Sequence, residues 1–454
     1  MQNRDVLISG AGIAGPALAY WLSGHGFTTT VVERAPAPRT GGQTVDLRGA
    51  GRTVIERMGL MDRVRGVSVA QRGIAFVGAD GQIAARMPAE LFGGEGIVSE
   101  VEVLRGDLGQ VLYEATGPAT EYLFDDTVRR LDQDDEGVTV TFEKARQRRF
   151  DLVIGADGVN SAVRGLAFGP QAQCVRPLGC YTAWFTAPAE FDLGGWFLMH
   201  NAPGGLVASI RPGRVPGEVK AGLSFRSAPI DYDPRDTASQ MDILASRFSG
   251  AGWEVPWLLK AMRTAPDFFF DPIAQVRLDR WSSRRVALVG DAGYCPTPLT
   301  GLGTSLALVG AYVLAGELAA ADGDHNVAFA RYEQVTRPYV TRGQQLPPGG
   351  IKGYAPDSAI AIGLRTASMR WMNRWPIRNL LARQFGKAAG IELPDYTPRA
   401  TRLLPPPPLC GDRACRAAPP SEKKRMTWMR HAGEWHLVDV GAPVRSGWPW
   451  GRPA

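Results

Sequence analysis

Three glycines near the N-terminus have the spacing that suits binding of a phosphate group. Gly10, Gly12 and Gly15 follow an apolar run at residues 6–8 and precede a stretch with helical spacing. In such a turn the first glycine allows tight bending, the second lets the backbone approach a pyrophosphate, and the third lets the helix pack closely. Glu33 ends the next β-branched run, near the roughly 20-residue offset at which an acid reaches a ribose hydroxyl. These residues predict a dinucleotide site, and the acid favours FAD or NAD over NADP.

Two later loops repeat the pattern of a buried strand that ends in a polar turn. Asp157 and Gly158 follow one continuous apolar run, and Gly290 and Asp291 follow another. Such runs are typical of parallel strands that are buried on both faces. Because ligands of parallel α/β sheets bind at the carboxyl ends of the strands, we expect both loops to meet the same ligand as the glycine-rich turn. Taken alone, an aspartate such as Asp157 is more often a turn residue than a ligand contact.

A loop of prolines and glycines follows Asp291 and leads into a long apolar helix. Pro298 stiffens this loop and removes a backbone donor, whereas Gly301 and Gly303 free the backbone just before the helix. The helix is predicted from Thr304 to residue 318, and its first N–H groups have no partner within the helix. This geometry suits a negative charge that develops on a bound ring.

The composition is that of a globular protein with more than one core. The chain has 454 residues, of which 44% are apolar and 21% charged. Its net charge of +6 comes from scattered arginines rather than a basic run interleaved with aromatics, so no nucleic-acid partner is expected. The N-terminal apolar segment is too broken for a signal peptide, and no window of about 20 residues is uninterrupted enough to span a membrane. The five cysteines lack metal-ligand spacing, which predicts reduced thiols, no metal site and a cytoplasmic location.

Further elements must bring these loops together and supply a second region. The ones that bear on the site are a hairpin of residues 73–77 and 82–87, a helix at 102–113, antiparallel strands at 121–124, 127–131 and 138–142, aromatic-rich strands at 181–187, 196–210 and 219–226, and an amphipathic helical region at 357–391. The hairpin rests on a two-residue Asp-Gly turn. The aromatic-rich strands suit either the lining of an apolar pocket or a sheet core.

The order of these motifs resembles that of the class A flavin monooxygenases, which have the p-hydroxybenzoate hydroxylase fold. The resemblance rests on the glycine-rich turn with Glu33 and Arg34, the Asp-Gly pair at 157 and the Gly-Asp pair at 290, and it extends over residues 4–396. Asp46 and Arg105 are similar to residues of the branch that contains tetracycline-inactivating monooxygenases and aromatic polyketide hydroxylases.

The resemblance implies FAD as the cofactor and NADPH or NADH as the co-substrate. Glu33 would hold the adenosine ribose with Arg34 beside it, and Arg39 would meet NADPH. Arg105 would contact the ribityl-pyrophosphate portion, and Asp291 the ribityl chain. The residues implied to bind the cofactor are Gly10, Gly12, Ala14, Gly15, Glu33, Arg34, Arg39, Asp46, Arg105, Asp157, Gly158, Gly290, Asp291, Gly303 and Thr304.

The resemblance also places one loop beside the flavin ring. Pro298, Gly301, Leu302 and Gly303 would lie next to the isoalloxazine, and no residue is assigned as a catalytic acid or base. Tyr294 departs from the family, many of whose members carry histidine there, so no polar role is carried over to that position.

The implied fold is α/β (α+β overall), with a Rossmann-like FAD-binding domain, a mixed-sheet substrate domain and a C-terminal bridging helix. Its predicted segments are 1–72, 101–172 and 272–345 for the FAD-binding domain, 73–100 and 173–271 for the substrate domain, 346–396 for the C-terminal helical region, and 397–454 for a disordered tail.

The implied activity is monooxygenation by FAD with NAD(P)H and O2. A flavin C4a-hydroperoxide would hydroxylate, or oxidise in the Baeyer–Villiger sense, a polycyclic aromatic or polyketide-like small molecule, with tetracycline-like molecules among the candidates. Alternatives on the same fold are a non-oxygenating flavin reductase or oxidase and a flavin halogenase. A non-catalytic flavin-binding interaction protein is a more remote alternative. The expected partners are the aromatic substrate and O2, without a membrane, and the chain is expected to be a monomer or homodimer.

Overall fold

A computed structural model describes residues 3–39, 41–89, 101–372, 390–396, 426–431 and 434–439. Residues 1–403 and 404–454 form two separate units. The strands are β1 Asp5–Ser9, β2 Thr28–Glu33, β3 Thr44–Asp46, β4 Gly73–Val77, β5 Ile83–Pro88, β6 Glu102–Leu104, β7 Thr120–Phe124, β8 Val128–Gln133, β9 Val138–Phe142, β10 Arg148–Phe150, β11 Leu152–Gly155, β12 Val175–Pro188, β13 Trp196–Ala202, β14 Leu206–Pro212, β15 Glu218–Arg226, β16 Phe269–Val276, β17 Ser282–Ser283, β18 Val286–Leu288, β19 Met426–His431 and β20 Glu434–Asp439.

Helices connect these strands and cover the sheets. They are α1 Ala14–Gly24, α2 Gly49–Arg57, α3 Met61–Gly66, α4 Arg105–Thr116, α5 Ala162–Ala167, α6 Gln171–Cys174, α7 Thr237–Arg247, α8 Val255–Met262, α9 Asp291–Tyr294, α10 Gly303–Ala320, α11 His325–Gly343, α12 Gly350–Tyr354 and α13 Ala359–Met372. Short 3-10 turns at Gly117–Ala119 and Pro298–Thr300 complete the first unit's regular elements within the described part of the chain.

A six-stranded sheet forms the centre of the first core. Its strand order is β17-β18-β11-β1-β2-β7, and β1 pairs in parallel with both β2 and β11. Val6, Leu7 and Ile8 on β1 are fully buried, as their continuous apolar run predicts. Val6 and Ile8 pack in the cluster that includes α1, α4, α10 and α11, whereas Leu7 packs on the three-stranded antiparallel sheet β10-β9-β8.

A seven-stranded sheet forms the second core, in the order β16-β12-β15-β14-β13-β4-β5. The predicted hairpin is confirmed, because β4 and β5 pair as antiparallel strands, and β4 joins the sheet through a parallel pairing with β13. Leu244 and Leu258, on helices α7 and α8, pack with Phe185, Ile210 and other residues on one face of this sheet. The opposite face is polar along β12 and β15, whereas Ile74, Phe197, Met199 and other residues of β4, β5, β13 and β14 form an apolar cluster on it with Ala355 and Met369.

Helix α10 is the most apolar element of the first core. It has a mean hydropathy of 1.4 over an 18-residue window, so by length and composition it meets a test for a membrane span, which was not expected from the sequence. However, 83% of that window is buried inside the protein. The composition therefore reflects a core helix that packs against α1, α2 and α11.

Three sequence predictions need correction. The helix predicted at 102–113 begins only at Arg105, because residues 102–104 pair with β3 as strand β6. The strand predicted at 121–124 is β7 of the central sheet, parallel to β2, rather than part of an antiparallel cover. The single strand predicted at 196–210 is the hairpin β13–β14, which turns at two glycines with positive φ, Gly204 and Gly205.

The C-terminal predictions meet the structure only in part. The helical region predicted at 357–391 contains α13, and residues 373–389 lie outside the described residues. The tail predicted to be disordered contains β19 and β20, which pair as an antiparallel hairpin in the second unit. A stretch without helical or strand periodicity thus still holds one local strand pair.

Candidate functional site

The glycine-rich turn is built as its spacing predicts. Gly10 has φ +109, and a Cβ there would lie 2.6 Å from the carbonyl oxygen of Ala156. A Cβ at Gly15 would overlap the carbonyl oxygen of Gly10. Both positions therefore need glycine for the turn itself and for the approach of α1 to β1. By contrast, Gly12 is open, and a Cβ there would meet only the Arg105 guanidinium, at 3.5 Å.

Glu33 lies at the end of β2 and faces the same turn. Its carboxylate accepts hydrogen bonds from the backbone N–H groups of Ala11 and Ala35, both at 2.9 Å. Arg39 lies 3.4 Å from the same carboxylate and is more than half exposed, and Arg34 is exposed as well. The acid is therefore fixed beside the turn, with two arginines on its solvent side.

The Asp157 loop adjoins Gly10 but uses its carboxylate locally. Asp157 accepts a hydrogen bond from the Ser161 hydroxyl, and its Oδ2 accepts backbone N–H groups of Ala162 at 2.8 Å and Val163 at 3.2 Å. The carboxylate thus completes the N-terminus of α5. Gly158 has φ +83, which provides the turn between β11 and that helix. The cofactor role that the resemblance implies for this pair stays a prediction.

Arg105, Asp291 and the start of α10 come together across the carboxyl ends of the central strands. The Arg105 backbone is held by the carbonyl of Gln43 at 2.9 Å, and its side chain reaches Gly12. Burial raises the pKa of Asp291, whereas Arg105 acts in the opposite direction. The Asp291 Oδ1 would lie 3.8 Å from a Cβ at Gly303. These contacts join the glycine-rich turn to the first turn of α10.

Gly290 and Ala14 allow α9 to pack closely against α1. Gly290 has φ +65, and a Cβ there would lie 3.1 Å from the Ala14 Cβ on α1. Any larger residue at either position would push α9 away from α1. Ala14, which the resemblance assigns to the cofactor site, thus also helps place Asp291.

The loop before α10 is strained and leaves backbone donors uncapped. Leu302 at the N-cap makes no side-chain capping bond, and Thr304 in the first turn is buried. Thr297, just before the exposed Pro298, has φ +90 although it is β-branched. Its buried Oγ1 has no hydrogen-bond partner among the described residues. Such strain is concentrated at functional sites in proteins, and sequence reasoning missed this residue.

Asp46 lies next to the same loop. Its Oδ2 is 3.0 Å from the Arg48 guanidinium and would lie 2.9 Å from a Cβ at Gly301, which has φ +63. Ser305 donates its hydroxyl to the Arg48 carbonyl at 2.9 Å, so α10 is fixed to this segment. The Gly301 turn therefore has a carboxylate and a guanidinium on one side.

These contacts form a continuous line of groups, here called the cofactor line, whose chemistry suits FAD. From Glu33 the line passes the open Gly12, Arg105 and Asp291 and ends at the Gly303 turn. The unpaired N–H groups suit a pyrophosphate at α1 and an electron-rich ring at α10. The residues present therefore fit the cofactor that the glycine spacing predicts.

The face of the seven-stranded sheet opposite α7 and α8 lies towards this line. In the centre of the face Trp184 and Ser209 are both cross-strand partners of Gly222. A Cβ at Gly222 would lie 2.7 Å from the Trp184 ring and 2.6 Å from the Ser209 hydroxyl. The missing side chain thus lets an aromatic ring lie flat across the middle of the sheet.

Polar groups border this aromatic centre on one side. Lys220 donates to the Thr186 hydroxyl at 2.5 Å and lies 3.3 Å from the Asp267 carboxylate. Its Nζ would be 3.8 Å from a Cβ at Gly41, so this edge of the face reaches the loop that holds Arg105. The contact places the sheet face beside the cofactor line.

A second polar border lies on the other side of Trp184. Thr182 and Ser224 share a hydrogen bond of 2.8 Å, and Ser224 meets the Tyr354 hydroxyl at 3.0 Å. On the edge strand, Asp271 is paired in register with Thr182 and hydrogen-bonds Asn160 of the Asp157 loop. Burial raises the pKa of Asp271 to about 6. Oxygen-bearing side chains therefore flank the tryptophan on both sides.

Among the residues that the structure describes, the other reactive side chains do not form a second site. Cys174, Cys180 and Cys295 are free and buried, and burial raises the pKa of the Cys180 thiol to about 12. Such thiols stay protonated and unreactive. Tyr294, where many relatives of the resembled family carry histidine, is buried and hydrogen-bonds Tyr332 at 3.0 Å. Over the described ranges, no cluster of His, Cys, Asp or Glu could hold a metal ion.

Comparison with known proteins agrees with this geometry. The model of a family described as an FAD binding domain matches residues 3–242, more than half of the chain. An uncharacterised protein of Mycobacterium tuberculosis is 46% identical over 354 residues, which cover 78% of this chain and 95% of that protein. A flavin-dependent monooxygenase of an unknown prokaryotic organism is 42% identical over 343 residues, which cover 76% and 88%.

A solved structure extends the likeness over most of the chain. The crystal structure of the tetracycline destructase Tet(55) matches with a TM-score of 0.73 and 37% identity, over 87% of this chain and 99% of that one. The resemblance inferred from the three motifs is thereby confirmed, as is the α/β fold. The chain belongs to the FAD-binding family of flavin-dependent monooxygenases, with the p-hydroxybenzoate hydroxylase fold.

Proposed function

We propose that the protein uses FAD, NAD(P)H and O2 to insert one oxygen atom into a polycyclic aromatic or polyketide-like molecule. The observation that carries this proposal is the sheet face around Trp184 and Gly222, which adjoins the cofactor line through Lys220 and Gly41. A flat aromatic surface with polar borders is what binding of a planar, oxygen-substituted ring system needs.

The two polar borders define the substrate further. Lys220 with Thr186 on one side, and Thr182 with Ser224 on the other, can hydrogen-bond hydroxyl or carbonyl groups at both edges of a planar molecule. Buried donors of this kind discriminate strongly against substrates that lack the matching oxygens. The similarity to a tetracycline destructase supports substrates of the tetracycline type among the candidates.

The chain's own residues position and stabilise rather than act as acids or bases. FAD supplies the oxygen chemistry when it is bound. Arg105 and Asp291 would hold its central portion, and the uncapped N–H groups at Gly303 and Thr304 would stabilise negative charge on its ring. Trp184 and the neighbouring apolar groups would exclude water from the reacting atoms.

The nicotinamide donor is proposed to meet the arginines beside Glu33. Arg39 is more than half exposed and Arg34 is exposed, so both are accessible to a phosphate from solvent. Replacing Arg39 with glutamine should raise the KM for the nicotinamide donor and change its preference between NADPH and NADH. FAD content should stay the same, because the Glu33 carboxylate keeps its bonds to the Ala11 and Ala35 N–H groups.

A combined assay tests the activity. The purified protein should be yellow and should oxidise NADPH or NADH faster when anthraquinones, angucyclines or tetracyclines are added. Mass spectrometry should then find a product that has gained one oxygen atom. Stimulated oxidation without a product would instead identify a reductase or oxidase, and a product that gains a halogen would identify a halogenase. If no flavin co-purifies and none binds when added, the proposal is wrong.

A further inference from the structure

A cluster of buried charged side chains joins the seven-stranded sheet to the Gly301 turn. Glu102 on β6 is 2% exposed, and its carboxyl accepts a hydrogen bond from Arg211 on β14 at 3.2 Å. Arg211 is 9% exposed, and its guanidinium lies over the Phe197 ring, 4.3 Å from the ring centroid. Gln71, which precedes β4, also contacts the Glu102 carboxyl, at 3.5 Å. Burying a guanidinium beside a carboxyl group costs desolvation energy, and here several neighbouring side chains contact the two groups.

The cluster continues from Glu102 to the cofactor line. Asp46 and Glu102 are register partners on β3 and β6, and their carboxyl groups hydrogen-bond each other. Such a bond requires a proton, because two ionised carboxylates offer only acceptors. Asp46 is also 3.0 Å from Arg48 and adjoins Gly301. The shared proton thus lies between the seven-stranded sheet and the turn that precedes α10.

The charges around Glu102 determine the pH at which it loses that proton. Arg211 faces it from β14, Asp46 from β3, and Arg48 from the segment after β3. Burial raises the pKa of Glu102 to about 8, the two arginines lower it, and Asp46 raises it. Loss of the proton would place two negative charges side by side and remove their hydrogen bond. The state of the cluster can therefore change within the physiological range of pH.

We propose that Glu102 is a positioning residue. In its protonated form it holds the seven-stranded sheet to the Gly301 turn through Arg211 and Asp46. When Glu102 ionises, repulsion from Asp46 loosens the turn, and the extra negative charge beside the site weakens its hold on FAD. This inference rests on the membership of the FAD-binding family and does not require that the proposed oxygenation is correct.

The test follows release of FAD from the full-length, FAD-loaded protein as the pH is changed. Samples are diluted between pH 6.5 and 9.5, and free FAD is measured by its fluorescence. In the wild type the dissociation constant should rise through a transition near pH 8, by no more than about tenfold per pH unit because one proton is involved. Glu102→Gln keeps a neutral hydrogen-bonding group and should abolish the transition.

Two further variants should move the midpoint in opposite directions. Arg211→Met removes a charge that lowers the pKa of Glu102, so the transition should shift to higher pH. Asp46→Asn removes a charge that raises that pKa, so it should shift to lower pH. Arg214→Gln is the matched control, because it breaks another ion pair between the seven-stranded sheet's loops and the rest of the first unit, the one with Asp107 on α4. This variant should keep the wild-type midpoint.

The outcomes separate this inference from the proposed activity. A flat wild-type profile, or a transition that persists unchanged in Glu102→Gln, would overturn the role of Glu102. If Glu102→Gln does not fold, the opposite shifts in the Arg211 and Asp46 variants decide the question instead, and equal midpoints would overturn it. A wild type that oxygenates no substrate but shows these shifts would leave the positioning role intact and reject only the proposed function.

Discussion

Replacing Gly12 with alanine tests the cofactor line at its most open point. The new Cβ would lie 3.5 Å from the Arg105 guanidinium, which is ordinary van der Waals contact, and Gly12 does not have a positive φ. The protein should therefore fold with a free energy of unfolding within about 0.5 kcal/mol of the wild type. The methyl group would nevertheless stand where the pyrophosphate approaches the backbone.

The size of the effect follows from that intrusion. Forcing an added methyl group into a packed contact costs about 1–3 kcal/mol. Because each 1.4 kcal/mol is a tenfold change in binding, the affinity for FAD should fall roughly tenfold to hundredfold. Gly15→Ala provides the contrast, since its Cβ would overlap the Gly10 carbonyl oxygen and α1 would have to move from β1. That variant should lose stability even without FAD.

Urea unfolding and FAD titration of both variants separate the two effects. We expect normal stability with weak FAD binding for Gly12→Ala, and lowered stability for Gly15→Ala. Wild-type FAD affinity in Gly12→Ala would refute the placement of the pyrophosphate. A loss of stability in that variant as large as in Gly15→Ala would show that the open space at Gly12 is structural.

Three further variants test other parts of the site. Asp291→Asn should lower the affinity for FAD about tenfold or more, because hydrogen bonds to a charged group contribute about 1.5–3 kcal/mol. It should not lower the free energy of unfolding, since burial already disfavours the carboxylate. FAD titration and urea unfolding check the two expectations. The pKa of Asp271 is raised to about 6, so between about pH 4 and 6 the folded state keeps a proton that the unfolded state has lost. As the pH rises through this range, the free energy of unfolding of the wild type should therefore fall relative to that of Asp271→Asn. Urea unfolding that gives the same difference in free energy between the wild type and Asp271→Asn at every pH would contradict this. Gly222→Ala should displace Trp184 and raise the KM for large aromatic substrates without changing FAD content, and an unchanged KM would count against Trp184 as part of the substrate surface.

The parts of the site that depend on local spacing could be predicted from the sequence. The glycine-rich turn, Glu33 and the Gly-Asp pair at 290 carry their own geometry, because buried strands and turn glycines leave a clear local pattern. Helix α10 was predicted within two residues of its bounds for the same reason. The structure brings these separate segments to one edge of the central sheet, as the parallel order of β2, β1, β11 and β18 requires.

The parts that depend on distant partners could not be predicted. Glu102 begins a strand of only three residues that runs directly into α4, and its strand pairing is set by β3 and not by its own sequence. Its partner Arg211 is 109 residues away, so a sequence scan sees only two ordinary surface charges. Thr297 gives no sign of its positive φ, because a β-branched residue is the least expected one in that conformation. Only the proline on either side of it could have drawn attention to the loop.

The central claim is that this protein transfers one atom of O2 to an aromatic substrate. The most direct measurement is turnover with FAD, NAD(P)H and oxygen-18 gas, followed by mass spectrometry of the product. We expect a product that has gained one atom of oxygen-18, and no label when oxygen-18 is supplied only as water. NAD(P)H oxidation that yields hydrogen peroxide alone across anthraquinones, angucyclines and tetracyclines would contradict it.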